Sequence, residues 1–335
     1  MRLAATGVGS FPGDDAAGFE EAVKVVIGEL PDLPHLPELP GRGAIASMTG
    51  RALAVVAELG ADLQPAGWRL TGGGPGIDQR RARSLLAQDL DCLEEHTQGY
   101  DGRLKIQVAG PWTLAATVER PRGDRVLADH GARRELAQAL AEGLREHIAE
   151  VRRRVPGATL VVQLDEPALP AVLAGSVPTA SGLHRHRSVD DPAASPALEW
   201  VMAAVSESGA TSVVHCCATD VPFRLLTGAG ARGVSVDLST LTAESYDALA
   251  EVLESDRTLM LGVVPSTEPA RCPDDGALTE RVLRLLDMLG LDPSAPDASG
   301  ELVVTPSCGL AGASTGWARR ACQLGTKVAR NLASG

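Results

Sequence analysis

Two kinds of apolar pattern alternate along the chain. Short, nearly unbroken aliphatic runs occur at LKIQVAG (104–110), TLVVQLDEP (159–167), TSVVHCC (211–217), GVSVDLS (233–239), TLMLGVV (258–264) and ELVVTPSC (301–308). Between them lie longer stretches in which Ala, Leu, Arg and Glu recur with helical spacing. A strand with one solvated face would alternate apolar and polar residues, so these continuous runs predict parallel strands covered on both faces. Two further strands are predicted at about 4–10 and 67–70. Helices are predicted at about 17–30, 44–59, 77–96, 131–154, 196–208, 221–227, 243–254, 276–289 and 315–332. Eight strand–helix units result, the count of an α/β fold of the (β/α)8 TIM-barrel type. With 335 residues against about 250 for a plain barrel, the expectation is a single catalytic domain over 1–335 with a long polar loop at about 170–195.

Two segments interrupt this pattern. PDLPHLPELPGRG (31–43) carries Pro at 31, 34, 37 and 40, which forbids a helix and favours extended backbone. It is read as a stiff connection lying over the barrel, with a ligand for a proline-binding module as the lesser alternative. TGGGPG (71–76) has no following Lys-Ser/Thr pair, so it is read as a flexible turn and not as a phosphate-binding loop.

Composition narrows the class. Apolar residues at 44% suffice for a large core, and aromatics at 3% leave that core to Ala, Val and Leu. A net charge of −12 opposes binding to nucleic acid or to an anionic membrane, and no run of about 18 apolar residues spans a bilayer. The N-terminus lacks the plan of a signal peptide, and six cysteines are too few for a disulfide scaffold. A reduced, cytoplasmic protein is expected, in which grouped cysteines mean metal or chemistry.

Polar residues gather where the predicted strands end: Ser10, Asp165, Glu166, His215, Cys217, Asp237 and Cys308. Strands of a parallel barrel all end on one face, so these residues converge although they are far apart in sequence. His215 and Cys217 are two apart and share a side of their strand, while Cys216 faces the helices. One imidazole, two thiolates and a carboxylate form a donor set suited to tetrahedral Zn²⁺. The alternative is that the thiols are small buried hydrophobes and the histidine is satisfied locally. For Asp165-Glu166-Pro167 the alternative is a strand-end turn with helix-capping duties.

TGVGSFP (6–12), AGPWT (109–113), VQLDEPAL (162–169), HCC (215–217) and TPSCGL (305–310) occur in this order. Together they resemble the catalytic barrel of the cobalamin-independent methionine synthases, within the fold shared with uroporphyrinogen decarboxylases. The resemblance runs from about residue 4 onward and implies a short form without the second barrel of the family's larger members. It implies that His215, Cys217 and Cys308 fall on zinc ligands. The family's carboxylate ligand, normally Glu, is matched by Asp237, whose reach is one methylene shorter. Ser10 and Asp165 match substrate-binding positions, with Asp165 suited to the homocysteine ammonium, and Asp165 and Glu166 are the expected catalytic pair.

The donor side departs from the family. Thr117 stands where the family's folate-stacking Trp is expected, and GVVPSTEP (262–269) has no His to protonate a folate leaving group. A methylated corrinoid protein needs no such proton and is slightly favoured over methyltetrahydrofolate. Trp68 or Trp112 could stack on a pterin instead, against a reading of ordinary packing. His184, Arg185, His186 and Arg187 could grip an anionic donor tail or form a solvated loop. Arg80, Arg81, Arg83 and the 152–154 arginines are read as surface charge, and Cys92, Cys272 and Cys322, which show no ligand spacing, as structural or incidental. The competing functions are a metal-free decarboxylase of the uroporphyrinogen type, a zinc methyltransferase acting on another thiol, and a non-catalytic zinc scaffold.

Overall fold

In the computed structural model, which describes residues 1–292 and 300–334, nine strands form two sheets. The strands are β1 (Arg2–Ala5), β2 (Ala61–Gln64), β3 (Gly67–Leu70), β4 (Arg103–Ala109), β5 (Thr159–Asp165), β6 (Thr211–Cys216), β7 (Gly233–Asp237), β8 (Thr258–Val264) and β9 (Glu301–Pro306). Seven of them pair in parallel in the order β1-β9-β8-β7-β6-β5-β4. Helices on the outside, among them Ala16–Glu29, Ile77–His96, His130–Arg154, Asp191–Glu207 and Thr315–Ser334, bury their apolar faces against the sheet. Among the described residues no helix is long and apolar enough to cross a membrane.

The sheet has one strand fewer than expected. The predicted strand at 67–70 forms, but as β3 it pairs antiparallel with β2 in a separate hairpin closed by Pro65 and Ala66. Two four-residue strands joined by so short a loop satisfy each other locally, which takes them out of the parallel ladder.

The proline-rich stretch supplies what the hairpin does not. It does not lie over the sheet; its residues 34–38 run between the two sheet edges and bond to both sides. On the β4 side, Leu36 N–H donates to Lys105 O at 2.9 Å and Lys105 N–H donates to Pro34 O at 2.9 Å. On the β1 side, Glu38 N–H donates to Gly9 O at 3.1 Å and Phe11 N–H donates to Glu38 O at 2.7 Å. Both bridges are parallel. Pro34 and Pro37 have no N–H to offer, so the donors come from the residues between and after them. Leu33 is fully buried in an inner apolar layer with Ala4, Val161, Val213, Met260 and Val303, one residue from each of five parallel strands.

Smaller differences have local causes. The helix expected at 44–59 is a 3-10 turn (Ala44–Ala46) followed by a helix at Met48–Val55, because Ser47 Oγ caps Gly50 N–H and restarts the turn. The long loop at 170–195 is shorter, since a helical turn occupies Leu169–Leu173 and the next helix starts at Asp191, capped by Asp190.

The packing of Leu33 gives a direct check. Leu33→Ala is expected to lower unfolding free energy by about 2–5 kcal/mol, whereas Leu283→Ala on an exposed helix face should stay within about 0.5 kcal/mol. Urea denaturation measures both, and a near-neutral Leu33→Ala would mean that the proline-rich segment is not part of the core.

Candidate metal and substrate site

The end of β6 sorts its three residues by side. Cys216 is fully buried towards the helices, and burial pushes its thiol up to about 12. His215 and Cys217 turn inward, where they meet Cys308, two residues beyond β9. Their ligand atoms all lie within 4.8 Å of one another, and the two sulfurs are 3.3 Å apart. Ser235 Oγ on β7 is 2.9 Å from His215 Nδ1, which fixes the ring and leaves Nε2 as its free nitrogen.

The two thiols cannot both ionise freely. The contact with Cys217, then that with His215, pulls the Cys308 thiol well below its ordinary range, and the same contact with Cys308 pushes Cys217 up. A metal held by both sulfurs would bind them as thiolates. Tetrahedral zinc, with Zn–N about 2.0–2.1 Å and Zn–S about 2.3 Å, would set each N···S pair roughly 3.5–3.6 Å and the two sulfurs roughly 3.8 Å apart, so this donor set fits Zn²⁺ once the sulfurs part by about half an ångström.

Asp237 is not in this group. Its Oδ1 accepts from Ser239 N–H and from Ser239 Oγ, both at 2.8 Å, and so caps the turn at Leu238–Thr240. A short carboxylate at a strand end folds back onto the next turn, as Asp does at caps generally.

Asp165 ends β5 in register with Ala109 on one side and His215 on the other. It is buried, and burial lifts its carboxyl to about 7 against the opposing pull of His215, Gln163 and Lys105. Its Oδ1 accepts from Gln163 Nε2 at 2.7 Å. Ser10 reaches the same mouth. Its O accepts from Leu310 N–H at 2.8 Å, and a Cβ at Gly309 would fall 2.0 Å from Ser10 Oγ, so glycine there lets the two loops meet without displacing the Ser10 hydroxyl.

Glu166 points elsewhere. It is fully buried and accepts from Trp112 N–H (2.9 Å), Thr113 N–H (2.7 Å) and Thr113 Oγ1 (2.8 Å), at the start of the helix Pro111–Thr117. It is thus the capping residue that the alternative reading described, applied to the neighbouring helix.

Two residues with a place at this site were not singled out from the sequence. Glu38 is buried beside Ser10 and paired with Arg51 at 3.1 Å, and its charge is felt by Asp165. The proline run hid it by removing all periodicity. Lys105 is fully buried on β4, and a lysine inside an apolar strand was the available signal.

The donor-side candidates find other partners. The indole N–H of Trp68 donates to Ala44 O and that of Trp112 to Ala194 O, and both rings are packed in the core, so neither offers a face to a pterin. His186 is buried 3.3 Å from Asp124, and Thr117 Oγ1 bonds to its own helix. A cavity of about 400 Å³ between the loops after β6 and β7 is lined by Asp220, Arg224, Thr242 and Asp247 among others, and by none of the expected site residues.

The geometry can be set beside known proteins. The family model of the cobalamin-independent synthase catalytic domain matches residues 101–331. The chain belongs to this family. It is accordingly an enzyme of the methyltransferase class, of methionine-synthase type. A B12-independent methionine synthase from Shewanella sp. W3-18-1, solved in complex with selenomethionine, is similar in fold over 100% of this chain and 98% of its own, with TM-score 0.64 and 14% identity. SrfJ from Salmonella typhimurium (12% identity, 91% and 65% covered, TM-score 0.45) and the xylanase 10B modules of Clostridium thermocellum (10%, 99% and 66%, 0.49) are more distant and add nothing on function. No curated protein matches the chain. Membership in a cobalamin-independent family corrects the preference for a corrinoid donor, since absent folate-side residues are a weaker guide than the family itself.

The capping assignment of Glu166 is testable. A glutamine there keeps one acceptor but turns an amide N–H towards donors, so Glu166→Gln should lower stability by about 1–3 kcal/mol in urea denaturation. The folded variant should bind metal as well as the wild type does. A stable variant without activity would restore Glu166 to a catalytic role.

Proposed function

We propose that this chain transfers a methyl group to the sulfur of homocysteine, with zinc held by His215, Cys217 and Cys308. The observation that carries the proposal is the convergence of one imidazole and two thiols from distant segments at a single mouth. That convergence is what a thiol-activating zinc site requires and what a metal-free decarboxylase does not. Asp237 ends β7, the strand beside β6, and is the candidate fourth protein ligand in the absence of substrate, provided its carboxylate leaves Ser239.

Bound zinc would lower the pKa of a substrate thiol, and two thiolate ligands would keep that sulfur electron-rich. Ser235 keeps the His215 ring turned so that Nε2 serves as the ligand. Asp165 and Glu38 present carboxylates to the substrate ammonium, which favours an amino-acid thiol over a simple one. Ser10 and the backbone around Gly309 bring the substrate-binding loop against the Cys308 loop. On this reading the curled sheet and segment 34–38 form a TIM-type barrel within one domain, and the free thiols suit a reducing, cytoplasmic setting.

The methyl donor on this reading is methyltetrahydrofolate, as the family's cobalamin independence supports. Thr117 stands in place of a ring, and Trp68 and Trp112 are committed to packing, so none of the three positions considered for stacking supplies a platform for the pterin. A high KM for the monoglutamyl donor is expected.

Two measurements test this. Elemental analysis should find about one zinc per chain. Cys217→Ser and Cys308→Ser should lose most of it together with activity, and Cys216→Ser should keep it; full metal in either of the first two variants would overturn the ligand assignment. Homocysteine methylation from methyltetrahydrofolate should proceed slowly without any corrinoid. Strict dependence on a methylated corrinoid would overturn the donor assignment and leave the zinc and homocysteine assignments standing.

A further inference from the structure

Lys105 is the largest of the fully buried side chains, and among the described residues it has no ion pair. Lysine is almost never fully buried without a compensating partner, and a methionine would fill a similar volume without the desolvation cost. The reason for a lysine lies in where its protons go. Nζ donates to Val8 O at 2.8 Å, to Gln163 Oε1 at 2.9 Å and to Gln107 Oε1 at 3.4 Å, so its three donors meet three acceptors. Burial lowers its pKa to about 8, while Asp165 and Glu38 pull it back up, so it remains mainly protonated at neutral pH.

An ammonium can only donate, and this decides which way both glutamines face. With both carbonyl oxygens turned to Lys105, both amide NH2 groups must point away from it. Gln163 Nε2 then donates to Asp165 Oδ1 at 2.7 Å and to Val8 O at 2.8 Å. Gln107 Nε2 donates to Leu36 O at 2.7 Å. A flipped Gln163 would present its oxygen to the Asp165 carboxylate, a repulsive contact. Val8 precedes Ser10 by two residues and Leu36 precedes Glu38 by two, so the same ammonium is tied to all three segments that carry the substrate-side residues.

We infer that Lys105 is a positioning residue for the amino-acid end of the substrate: through the fixed Gln163 amide it aims Asp165, and through Val8 and the Gln107 amide it holds the Ser10 and Glu38 segments around it. This rests on the homocysteine reading above and adds to it the group that makes the ammonium pocket rigid. Lys105 itself touches neither the substrate nor the metal ligands.

The test compares homocysteine with 4-mercaptobutyrate, which has the same thiol and carboxylate but no ammonium, using the zinc-loaded full chain. Selectivity of the wild type for homocysteine tests the reading itself; the variant-to-wild-type ratio tests Lys105. Lys105→Met should raise the homocysteine KM by roughly 10- to 100-fold with kcat within about twofold. It should leave the 4-mercaptobutyrate KM and the zinc content unchanged. Gln163→Glu keeps a partner for Lys105 but has no N–H for Asp165, so it should show the same selective loss and decides the matter alone should Lys105→Met not fold. Unchanged selectivity in the folded variants, or an equal loss for both thiols, would overturn the inference and reduce Lys105 to a structural role.

Discussion

Side chains alternate along a strand, and parallel strands end on the same side of their sheet; the site depends on these two constraints together. Alternation puts His215 and Cys217 on the inner side of β6 and Cys216 among the helices. Parallel order then brings the end of β9 close enough for Cys308 to join them. Cys217 and Cys308 lie only one and two residues past their strands, so little loop has to be ordered to complete this geometry. The pairing of β7 with β6 and β8 supplies Ser235 in register with His215, so the ring that would bind metal is already oriented.

The same inward alternation creates an electrostatic problem that the interior solves with hydrogen bonds instead of ion pairs. Lys105, Gln107, Gln163 and Asp165 all project from β4 and β5 into the space between the inner apolar layer and the mouth. The Lys105 ammonium and the side-chain amides of Gln107 and Gln163 all have partners, and the chain of donors runs in one direction, from the Lys105 ammonium to the Asp165 carboxylate. Such a network is costly if half satisfied and rigid when complete, which suits the ammonium pocket proposed above. Glu166 shows the contrast one residue away: the next position in the chain leaves the mouth and serves the start of a helix.

The proline-rich segment connects fold and site. Leu33 fills the inner layer, Pro34 and Leu36 bond to β4, and Glu38 bonds to the segment after β1. Glu38 also reaches a buried ion-pair network in which Arg51 joins it to Asp89 and Asp89 pairs with Arg42. An extended stretch rich in proline can close a gap between sheet edges because its backbone needs few donors and its φ angles are fixed in advance.

The sequence by itself determined the local elements and the facing of the metal-site residues. Apolar runs marked six of the seven parallel strands within a few residues, because burial on both faces leaves a strong composition signal. Spacing by two placed His215 and Cys217 together and Cys216 apart. Only the tertiary structure decided which segments join the sheet, since partner choice depends on contacts between residues distant in the chain: β3 took a hairpin partner and residues 34–38 took the edge position. Only the tertiary structure showed that Asp237 and Glu166 cap turns, because a carboxylate at a strand end can rotate to either duty and its neighbours settle which. Glu38 was illegible for the same reason, and Lys105 was marked only as a lysine inside an apolar strand, without its partners. A buried charge is defined by the partners that surround it, and those partners come from strands and loops that sequence order does not bring together.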